Sequence, residues 1–460
     1  MGLQGFLDKC GYDSIAGWAW NPENPRERVS VDIFDGSRFL KRVRANCFRK
    51  DLEIGGKGQG VCAFNYVLPS SVLDDRLHQV HVQFADTAEE LTRSPQFVVW
   101  SVSERRELEQ TLRAFLKKPR WYIMSARFTR GRLEITGWAL PPFDGRATTL
   151  RVNGASFDEV QMRFPSPECG NIFWYWPNSD RCRFVCRAAV QQADLFRNGR
   201  AQLEYADALT GEAHYSFHDF YWPPSLFTVG NIPADRDMVR AAGLPHRHLF
   251  LQGGYTTFVK LKQVIERKVG CWPKGETLDW GCGCGRVTRW LIDEGLPHVH
   301  VRGADIDPVN IRWCNENLPG AAFTQIPLHP RTPYREGQFS VILGMSVFTH
   351  LQESVQFEWL EELQRVAASA AILLMSVHGN GSVSRAVPSL GWLQRWRTSG
   401  FDATQVDSAL AEVIKDKEYY RAAYHTTDYV QQNWSKYFEV IDIIESFMSN
   451  DQDLVVLRRR

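Results

Sequence analysis

The chain has 460 residues, enough for roughly two to four domains of ordinary size. Hydrophobic residues make up 44% of it, so it can bury sizeable cores. The 54 lysines and arginines almost balance the 53 aspartates and glutamates, which leaves a net charge of +1. So small a charge excludes capture of nucleic acid or an anionic membrane through the overall field, and partners must be inferred from local sites.

The sequence predicts neither export nor membrane insertion. The N-terminus, MGLQGFLDKC, has no basic stretch followed by an apolar one, and Phe6 stands where a myristoylation signal has Ser or Thr. The longest apolar run, Ala367–Val377, is about half of the roughly 20 residues that a membrane span requires, and it predicts a buried strand. The 10 cysteines lack the density of a disulfide scaffold. We therefore expect a cytoplasmic protein.

Up to about residue 225, short alternating runs such as RVSVDIF and HQVHVQF are separated by turn sequences such as PENP and FDGSR. This pattern is typical of antiparallel strands in a sandwich or barrel. AGWAWNPENPRERVSVDIFDG from Ala16 and TGWALPPFDGRATTLRVNG from Thr136 share a Gly-Trp-Ala, a turn with proline, a strand and a final glycine. Their separation of about 120 residues exceeds a solenoid period and favours two related β-sandwich modules, at residues 1–100 and 121–225.

A linker helix is predicted between the two modules, at residues 101–120. The segment SERRELEQTLRAFLKKP starts at Ser103 with the chemistry of a capping box and ends at a proline. Its composition favours a helix throughout.

From about residue 226 onward, helical stretches alternate with the short apolar runs TLDWG, HVRGADI, FSVILGM and AAILLMSV. Strands separated by helices predict a parallel sheet built from βαβ units. We therefore assign residues 226–460 to a third domain of the α/β class.

The segment LDWGCGCGRVTRWL holds three glycines and two cysteines before a predicted helix, and we call residues Gly281–Gly285 the glycine turn. Cys282 and Cys284 form a single Cys-x-Cys pair, which is too little for a zinc site, so we predict no metal. The absence of a following Gly-Lys-Ser/Thr excludes a P-loop. Arg286 stands where a dinucleotide fingerprint needs its third glycine, which disfavours a pyrophosphate cradle.

The pattern Asp279-x-Gly281-x-Gly283-x-Gly285, between a strand and a helix, resembles motif I of class I S-adenosylmethionine-dependent methyltransferases. VRGADIDPVNIRWC resembles that family's second strand, FSVILGMSVFTHL its fourth strand and active-site loop, and AAILLMSVHG its fifth strand. YHTTDYVQQNWSKYFEVIDII and QDLVVLRR resemble the closing hairpin of bacterial members associated with polysaccharides. The resemblance covers about Ser225 to Arg460 and implies a Rossmann-like domain with a mostly parallel seven-stranded sheet.

The resemblance also implies S-adenosylmethionine as the methyl donor and a site for it. Asp279 would hold the amino group of the donor's methionine part, and the glycines would let the backbone approach the donor. Asp305 would bind the ribose hydroxyls; Asp307 competes for this role but is better explained as a helix N-cap. Adenine would lie near Gln325 and Ile326. The predicted donor-binding residues are Asp279, Gly281, Gly283, Gly285, Asp305, Ile306, Gln325 and Met345.

Two histidines follow predicted strands, at the edge where parallel sheets bind their ligands. His350, in SVFTHL, or His378, in SVHG, would accept a hydroxyl proton near neutral pH if the transfer needs a base. A lone histidine is also often a packed or surface residue, so both interpretations stay open. We expect Tyr424 and His425 to pack within a loop rather than to cover the acceptor pocket.

The Gly-Trp-Ala stretches resemble β-sandwich modules attached to bacterial glycosyltransferases and other glycan-modifying enzymes. Trp18, Trp20 and Trp138 would either stack on sugars or fill the sandwich cores, and a recurring tryptophan favours the core. The segment NIFWYWPNSD, residues 171–180, is more suggestive of a binding surface, because its consecutive aromatic residues cannot all face one side of a strand.

The predicted protein is multidomain, with two β modules followed by a methyltransferase that acts on a hydroxyl of a bacterial surface saccharide or its precursor. Its expected partners are a saccharide or other small-molecule acceptor and, through the β modules, glycan-assembly enzymes, without nucleic acid or a membrane span. One alternative is a nicotinamide-dependent oxidoreductase, which Arg286 disfavours. The other is a non-catalytic carbohydrate-binding or assembly protein with an inactive methyltransferase domain, which the intact Asp279 and Asp305 disfavour.

Overall fold

The computed structural model describes residues 2–49, 52–53, 55–116, 120–189, 201–212, 220–223, 231–242, 247–386, 389–407, 413–414, 416, 419–448 and 451–460. The chain forms two compact units. The first comprises Met1–Ala114 and Ser166–Arg181, and the second comprises Phe115–Pro165 and Cys182–Arg460. This grouping differs from the predicted domain boundaries, because most of the second β region belongs to the same unit as the α/β domain.

The first unit contains a β-sandwich. Its strands are β1 Gln4–Cys10, β2 Ser14–Trp20, β3 Ser30–Asp35, β4 Arg38–Arg44, β5 Cys47–Phe48, β6 Val61–Val67, β7 Leu77–Phe84 and β8 Gln96–Val99. They form two antiparallel sheets, ordered β1-β2-β6-β5 and β4-β3-β7-β8. Ile15 and Phe64 of one sheet share a buried core with Val31 and Val82 of the other, because alternate side chains of each strand face inward.

The second β region has the same strand order. Its strands are β9 Trp121–Thr129, β10 Arg132–Ala139, β11 Thr148–Val152, β12 Ala155–Ser156, β13 Glu159–Phe164, β14 Arg183–Ala189, β15 Ala201–Asp207 and β16 Phe220–Trp222. The sheets are β9-β10-β14-β13 and β12-β11-β15-β16, which repeat the order of the first module strand for strand. This shared topology is what the internal sequence similarity predicts.

The glycine of each Gly-Trp-Ala stretch is required by close packing. A Cβ atom on Gly17 would lie 2.2 Å from the Phe6 carbonyl oxygen, and one on Gly137 would lie 2.2 Å from the Tyr122 carbonyl oxygen. A register shift accompanies the close approach in both sheets. Each glycine lies opposite a phenylalanine of the next strand, Phe64 in the first module and Phe184 in the second.

The predicted linker helix is present as α1, Val102–Phe115, but its N-terminal cap differs from the expectation. The backbone N–H of Glu104 donates to Ser101 Oγ at 3.3 Å, so Ser101 is the capping residue and not Ser103. Ser101 and Glu104 have the spacing of a capping box, which begins two residues before the predicted one at Ser103. A second short helix, α2, spans Pro167–Ile172 in the first unit.

The C-terminal part contains the predicted seven-stranded sheet. Its strands and a separate two-stranded sheet are β17 Gly275–Trp280, β18 Val299–Asp305, β19 Ala321–Gln325, β20 Phe339–Gly344, β21 Ala367–Val377, β22 Phe401–Val406, β23 Arg421–His425, β24 Glu439–Met448 and β25 Gln452–Arg458. The large sheet has the order β19-β18-β17-β20-β21-β25-β24, and β22 pairs with β23. The ladders from β19 to β21 are parallel, whereas β25 is antiparallel to both of its neighbours.

Helices accompany this sheet. They are α3 Asp235–Ala242, α4 Arg247–Val269, α5 Thr288–Asp293, α6 Pro308–Asn317, α7 Glu353–Val366, α8 Asn380–Ala386, α9 Leu390–Ser399 and α10 Thr427–Trp434. Successive strand residues enter different cores, since Leu343 and Leu374 pack in one and Ile342 and Leu373 in the other. Within the ranges given above, no helix combines the length and the apolar character that crossing a membrane requires.

Candidate functional site

The glycine turn joins β17 to α5 at the carboxyl edge of the parallel strands. Its first two amides, of Gly281 and Cys282, donate to the carbonyl of Ala304 at 2.8 and 3.0 Å, which anchors the turn to β18. Gly281, Gly283 and Gly285 all have positive φ, at 74°, 53° and 73°. Glycine is favoured at each position because other residues adopt this backbone conformation at a cost.

The three glycines differ in what surrounds them. A Cβ atom on Gly281 would lie 2.3 Å from Val347 Cγ2, and one on Gly285 would lie 2.4 Å from Leu318 Cδ1. Apart from its two chain neighbours, no described residue has an atom within 4 Å of a Cβ atom on Gly283. Gly281 and Gly285 thus allow tight packing, whereas Gly283 faces open space.

This open space is a cavity of about 210 Å³. Most of the predicted site residues line it: Asp279, Gly281, Gly283, Asp305, Ile306, Met345 and His350. Gly285, Gln325 and His378 are not among its lining residues. Gln325 is exposed, and its Nε2 donates to the Ile306 carbonyl at 3.4 Å. The geometry thus offers Gln325 no contact with the cavity, although sequence position alone made it an adenine candidate.

The carboxylates of Asp305 and Asp307 accept hydrogen bonds from different parts of the backbone. Asp305 ends β18, and its carboxylate accepts hydrogen bonds from the backbone N–H groups of Gly283 at 2.7 Å and Asp307 at 2.9 Å. Asp307 accepts from the N–H of Val309 at 2.9 Å as the N-cap of α6, which confirms that prediction. Asp305 therefore fixes the turn and presents a carboxylate at the cavity wall.

Asp279 is a buried carboxylate at the cavity wall, at the end of β17. Its Oδ2 accepts a hydrogen bond from Thr288 Oγ1 at 2.5 Å. Burial raises the pKa of Asp279 to about 6, although the hydrogen bond and the positive charge of Arg286 oppose this rise. A cationic group in the cavity would stabilise this buried carboxylate, which is ionised at neutral pH.

His350 ends a short 3-10 turn, Phe348–His350, and lines the cavity. Its Nδ1 lies 3.1 Å from Asp407 Oδ2, close enough for an ion pair but not aligned for a hydrogen bond. The imidazole stacks on the ring of Tyr420, with centroids 4.6 Å apart. Catalytic hydrogen bonds are often poorly aligned before substrate binds, so this pair is suited to orient an imidazole base.

His378 is held in a different environment. Its Nδ1 lies 3.2 Å from the Ala423 carbonyl oxygen, and burial lowers the pKa of His378 to about 4. His378 is thus neutral and a weak base at pH 7. Tyr424 and His425 lie in β23 rather than in a loop, and His425 Nε2 is 2.9 Å from Gln356 Oε1. Both residues belong to the packing around this strand.

The cysteines of the glycine turn are packing residues. Cys282 Sγ donates to the Gly283 carbonyl at 3.6 Å, and Cys284 Sγ donates to the Asp237 carbonyl at 3.8 Å. Burial raises the pKa of Cys284 to about 12, so its thiol stays protonated. In the part of the chain that the structure describes, no group of three or more His, Cys, Asp or Glu residues is arranged to hold a metal ion.

The structure adds three apolar residues, Val347, Leu351 and Trp359, to the predicted candidates Ile306 and Ile326. Ile326, Val347, Leu351 and Trp359 line the cavity together with Ile306. Apart from Trp359, which lies in α7, these residues follow strands, but their shared position depends on how the loops meet at the sheet edge. Apolar residues just after strands are the only sequence signal that marks them.

The aromatic candidates of the first module are largely packed. Trp18 and Trp20 are half-buried against Leu52 and Cys62, and Lys57 Nζ lies 4.9 Å from the centroid of the Trp18 ring. These contacts occupy surface that sugar stacking would need.

Further aromatic candidates are also engaged. Trp138 stacks on Tyr122, with centroids 6.4 Å apart. In segment 171–180, Phe173, Tyr175 and Trp176 are buried, while the half-buried ring of Trp174 carries the Arg105 guanidinium 3.7 Å from its centroid. The observed contacts favour core packing over an open aromatic platform.

Residues 277–369 match the family model described as a methyltransferase domain. Similar solved structures include a protein from Pyrococcus horikoshii OT3 (16% identity, 45% of this chain, 91% of that chain, TM-score 0.32) and a SAM-dependent methyltransferase from Methanosarcina mazei (18%, 43%, 96%, 0.33). Magnesium protoporphyrin IX methyltransferase from Synechocystis PCC 6803, with bound SAH, is another (13%, 51%, 91%, 0.32). Likeness at this level says nothing about the site or the acceptor. The matched region, which contains the glycine turn and His350, is a methyltransferase domain, as the sequence predicts.

Proposed function

We propose that this protein transfers a methyl group from S-adenosylmethionine to a hydroxyl group of a bacterial surface saccharide or its precursor. The enzyme class is that of the matched domain, and S-adenosylmethionine is its methyl donor. The donor supplies a methyl group on a positively charged sulfur. One observation carries the proposal: Gly283 opens onto a cavity that Asp279, Asp305 and His350 also line.

The cavity has groups that complement each part of the donor. Asp305, held by two backbone N–H groups, would accept hydrogen bonds from the ribose hydroxyls. The apolar wall formed by Ile306, Ile326 and Leu351 suits the flat adenine ring, and Met345 also lines this space. Gly283 leaves room that any side chain would fill. The residues present therefore fit the donor.

His350 is the proposed general base. A hydroxyl must lose its proton during methyl transfer, and an imidazole at the cavity wall is able to accept it. Asp407, 3.1 Å from Nδ1, favours the tautomer with its proton on Nδ1, which leaves Nε2 to accept a proton. His378 is the weaker choice, because its pKa is about 4 and it does not line the cavity.

The saccharide acceptor is supported by two features of the chain. The C-terminal segments resemble those of polysaccharide-associated methyltransferases, and the two β modules resemble modules attached to glycan-modifying enzymes. A base at the cavity fits a hydroxyl acceptor, because a carboxylate acceptor would not need one.

The acceptor is tested by incubating the protein with S-adenosylmethionine labelled in its methyl group and with saccharide fractions from bacterial cells. We expect label in a saccharide fraction, and we expect it to survive alkaline hydrolysis because methyl ethers are stable to alkali. His350→Gln should lose the labelling, whereas His378→Gln, the matched histidine control, should retain most of it. Label in an alkali-labile ester, or in protein, would contradict the proposal.

A further inference from the structure

Ser346 lies two residues after β20 and lines the cavity, yet its backbone has a conformation that favours glycine. Its φ is 58°, in the left-handed region that is unfavourable for a residue with a Cβ atom. A serine stays in this region only where its surroundings hold it there. The contacts of Ser346 therefore show what fixes the backbone at this part of the cavity wall.

Two hydroxyl groups and one amide hold Ser346. Its backbone N–H donates to Ser376 Oγ at 2.7 Å. The hydroxyls of Ser346 and Ser376 both donate to one side-chain oxygen, Gln452 Oε1, at 3.1 and 2.8 Å. An amide oxygen has two lone pairs and accepts both bonds, and the fully buried hydroxyl of Ser376 accepts one bond and donates another. Gln452 thus holds the backbone of Ser346 through Ser376, and the side chain of Ser346 directly.

The topology of the large sheet explains how a residue 106 positions further along the chain reaches Ser346. Strand β21 lies between β20 and β25. Because β20 and β21 are parallel they end at the same edge of the sheet, and because β25 is antiparallel to β21 it begins at that edge. Gln452 is the first residue of β25. The order of the strands therefore brings its amide to the two serines.

A single short turn connects Ser346 to His350. Val347 packs against the glycine turn, since its Cγ2 would lie 2.3 Å from a Cβ atom on Gly281. The carbonyl of Val347 accepts a hydrogen bond from the N–H of His350 at 2.9 Å. A change of Ser346 to a negative φ would redirect the chain after it, so Val347 and His350 would move together. The position of the imidazole at the cavity therefore depends on the backbone of Ser346.

We propose that Gln452 is a positioning residue for methyl transfer, which keeps Ser346 in the left-handed conformation and thereby holds the His350 imidazole at the cavity. This inference rests on the proposed role of His350 as the base and deepens it. Gln452 is not among the residues that line the cavity, so it acts through Ser346. Asp279 and Asp305 lie on β17 and β18, so donor binding should depend little on Gln452.

The test measures methyl transfer and donor affinity in the same preparations. Turnover is followed with methyl-labelled S-adenosylmethionine and a saccharide fraction that the wild-type protein labels, and affinity by calorimetric titration with S-adenosylhomocysteine. Gln452→Met keeps the side-chain length but removes the acceptor, and should lower turnover roughly 10- to 100-fold while affinity stays within about threefold, because a base displaced by about 1 Å works poorly. Gln452→Glu keeps an oxygen acceptor for both hydroxyls and should retain turnover within about threefold of wild type.

A second background separates positioning from a general loss of stability. Glycine adopts a positive φ without steric cost, so the backbone of Ser346→Gly needs less support. Adding Gln452→Met to Ser346→Gly should therefore lower turnover by less than about threefold. Gln431→Met replaces an exposed glutamine of α10 and is the matched control, which should change neither turnover nor affinity. Equal losses from Gln452→Met in both backgrounds, or losses of turnover and affinity by the same factor, would overturn the inference.

The result for His350→Gln distinguishes failure of this inference from failure of the proposed function. Full turnover of Gln452→Met, with His350→Gln inactive, would overturn this inference alone. Full turnover of His350→Gln, or a wild-type protein that labels no saccharide fraction, would overturn the proposed function and this inference with it. Should Gln452→Met not fold, Ser346→Ala decides the matter: it removes one of the two hydroxyls that donate to Gln452 and should lower turnover roughly 3- to 10-fold, and an unchanged turnover would overturn the inference.

Discussion

The Gly-Trp-Ala strands of the β modules and the glycine turn of the methyltransferase domain both depend on glycine, but for opposite reasons. At Gly137 the carbonyl oxygen of Tyr122 and the ring of Phe184 already fill the place of a side chain, at 2.2 and 2.7 Å from an added Cβ. At Gly283 an added Cβ would have no atom of the described residues within 4 Å, its chain neighbours aside. The first glycine is needed for packing, and the second leaves a space that we propose the donor fills.

This difference separates structural from functional glycines without knowledge of the ligand. Gly17 has the same kinds of contact as Gly137, with Phe6 and Phe64 in place of Tyr122 and Phe184. The internal sequence similarity therefore reflects the same packing in both β modules. The glycine turn contains both kinds of glycine, because Gly281 and Gly285 are packed and Gly283 is open.

The largest expected effect concerns the rate of methyl transfer at the cavity onto which Gly283 opens. His350→Gln should lower turnover roughly 10²- to 10⁴-fold, because it removes the proposed base, and should leave donor affinity and thermal stability unchanged. Turnover measured with labelled donor, beside calorimetric titration of the same sample, checks this. A loss of donor affinity equal to the loss of turnover would instead make His350 a donor-binding residue.

The next effect concerns stability and comes from Gly137, the packed glycine of the second β module. Gly137→Ala should lower the free energy of unfolding by about 3 kcal/mol, because neither a backbone carbonyl nor a buried ring gives way easily. Gly391→Ala, in helix α9, is the control: its Cβ would meet only the end of the Arg395 side chain at 3.6 Å, so stability should stay equal or rise slightly. Equal unfolding curves for Gly137→Ala and wild type would show that the strands separate readily.

A pH-dependent effect is expected at Asp279. Its pKa of about 6 lies above that of an unfolded chain, so the folded protein holds this proton more tightly and loses stability as the pH rises toward and through 6. Asp279→Asn should therefore raise the free energy of unfolding at pH 8 by about 2 kcal/mol, with little gain at pH 4.

Donor binding should respond in the opposite direction. If Asp279 holds the donor's ammonium group, as the family resemblance implies, its protonation removes the complementary charge, so affinity should fall as the pH drops below about 6. Asp279→Asn should bind weakly at every pH, and calorimetry at pH 5 and pH 8 checks both statements. A pH-independent affinity in the wild-type protein would remove Asp279 from the donor site.

A smaller effect on the fold than that of Gly137→Ala is expected from Gly283→Ala. A positive φ costs alanine about 1 kcal/mol, but the space for its methyl group is free. Donor affinity should nevertheless fall about tenfold, because the methyl group occupies the cavity. Unfolding and titration of the same variant measure the two quantities, and undiminished affinity would show that the donor does not approach this glycine.

The sequence predicts features that depend on local patterns. The mostly parallel seven-stranded sheet follows from the family resemblance, and the end of β18 at Asp305 and the N-cap at Asp307 follow from the chemistry of strand ends and helix starts. The repeated sandwich follows from the Gly-Trp-Ala similarity.

Features that depend on contacts between residues far apart in the sequence were not predicted. Gln325 lies at the expected strand end, yet its side chain contacts the Ile306 carbonyl and not the cavity. His350 and His378 both follow strands, and only the structure distinguishes them, because His350 lines the cavity and burial lowers the pKa of His378.

The central claim is that the glycine turn and Asp305 hold S-adenosylmethionine, and one calorimetric experiment tests it most directly. Wild-type protein is titrated with S-adenosylhomocysteine and, separately, with NAD, and Asp305→Ala is titrated with the former. We expect one S-adenosylhomocysteine per chain, no binding of NAD, and a loss of about 1.5–3 kcal/mol in Asp305→Ala. Binding of NAD, or of neither ligand, would contradict the account, and an unchanged affinity in the variant would remove Asp305 from the site.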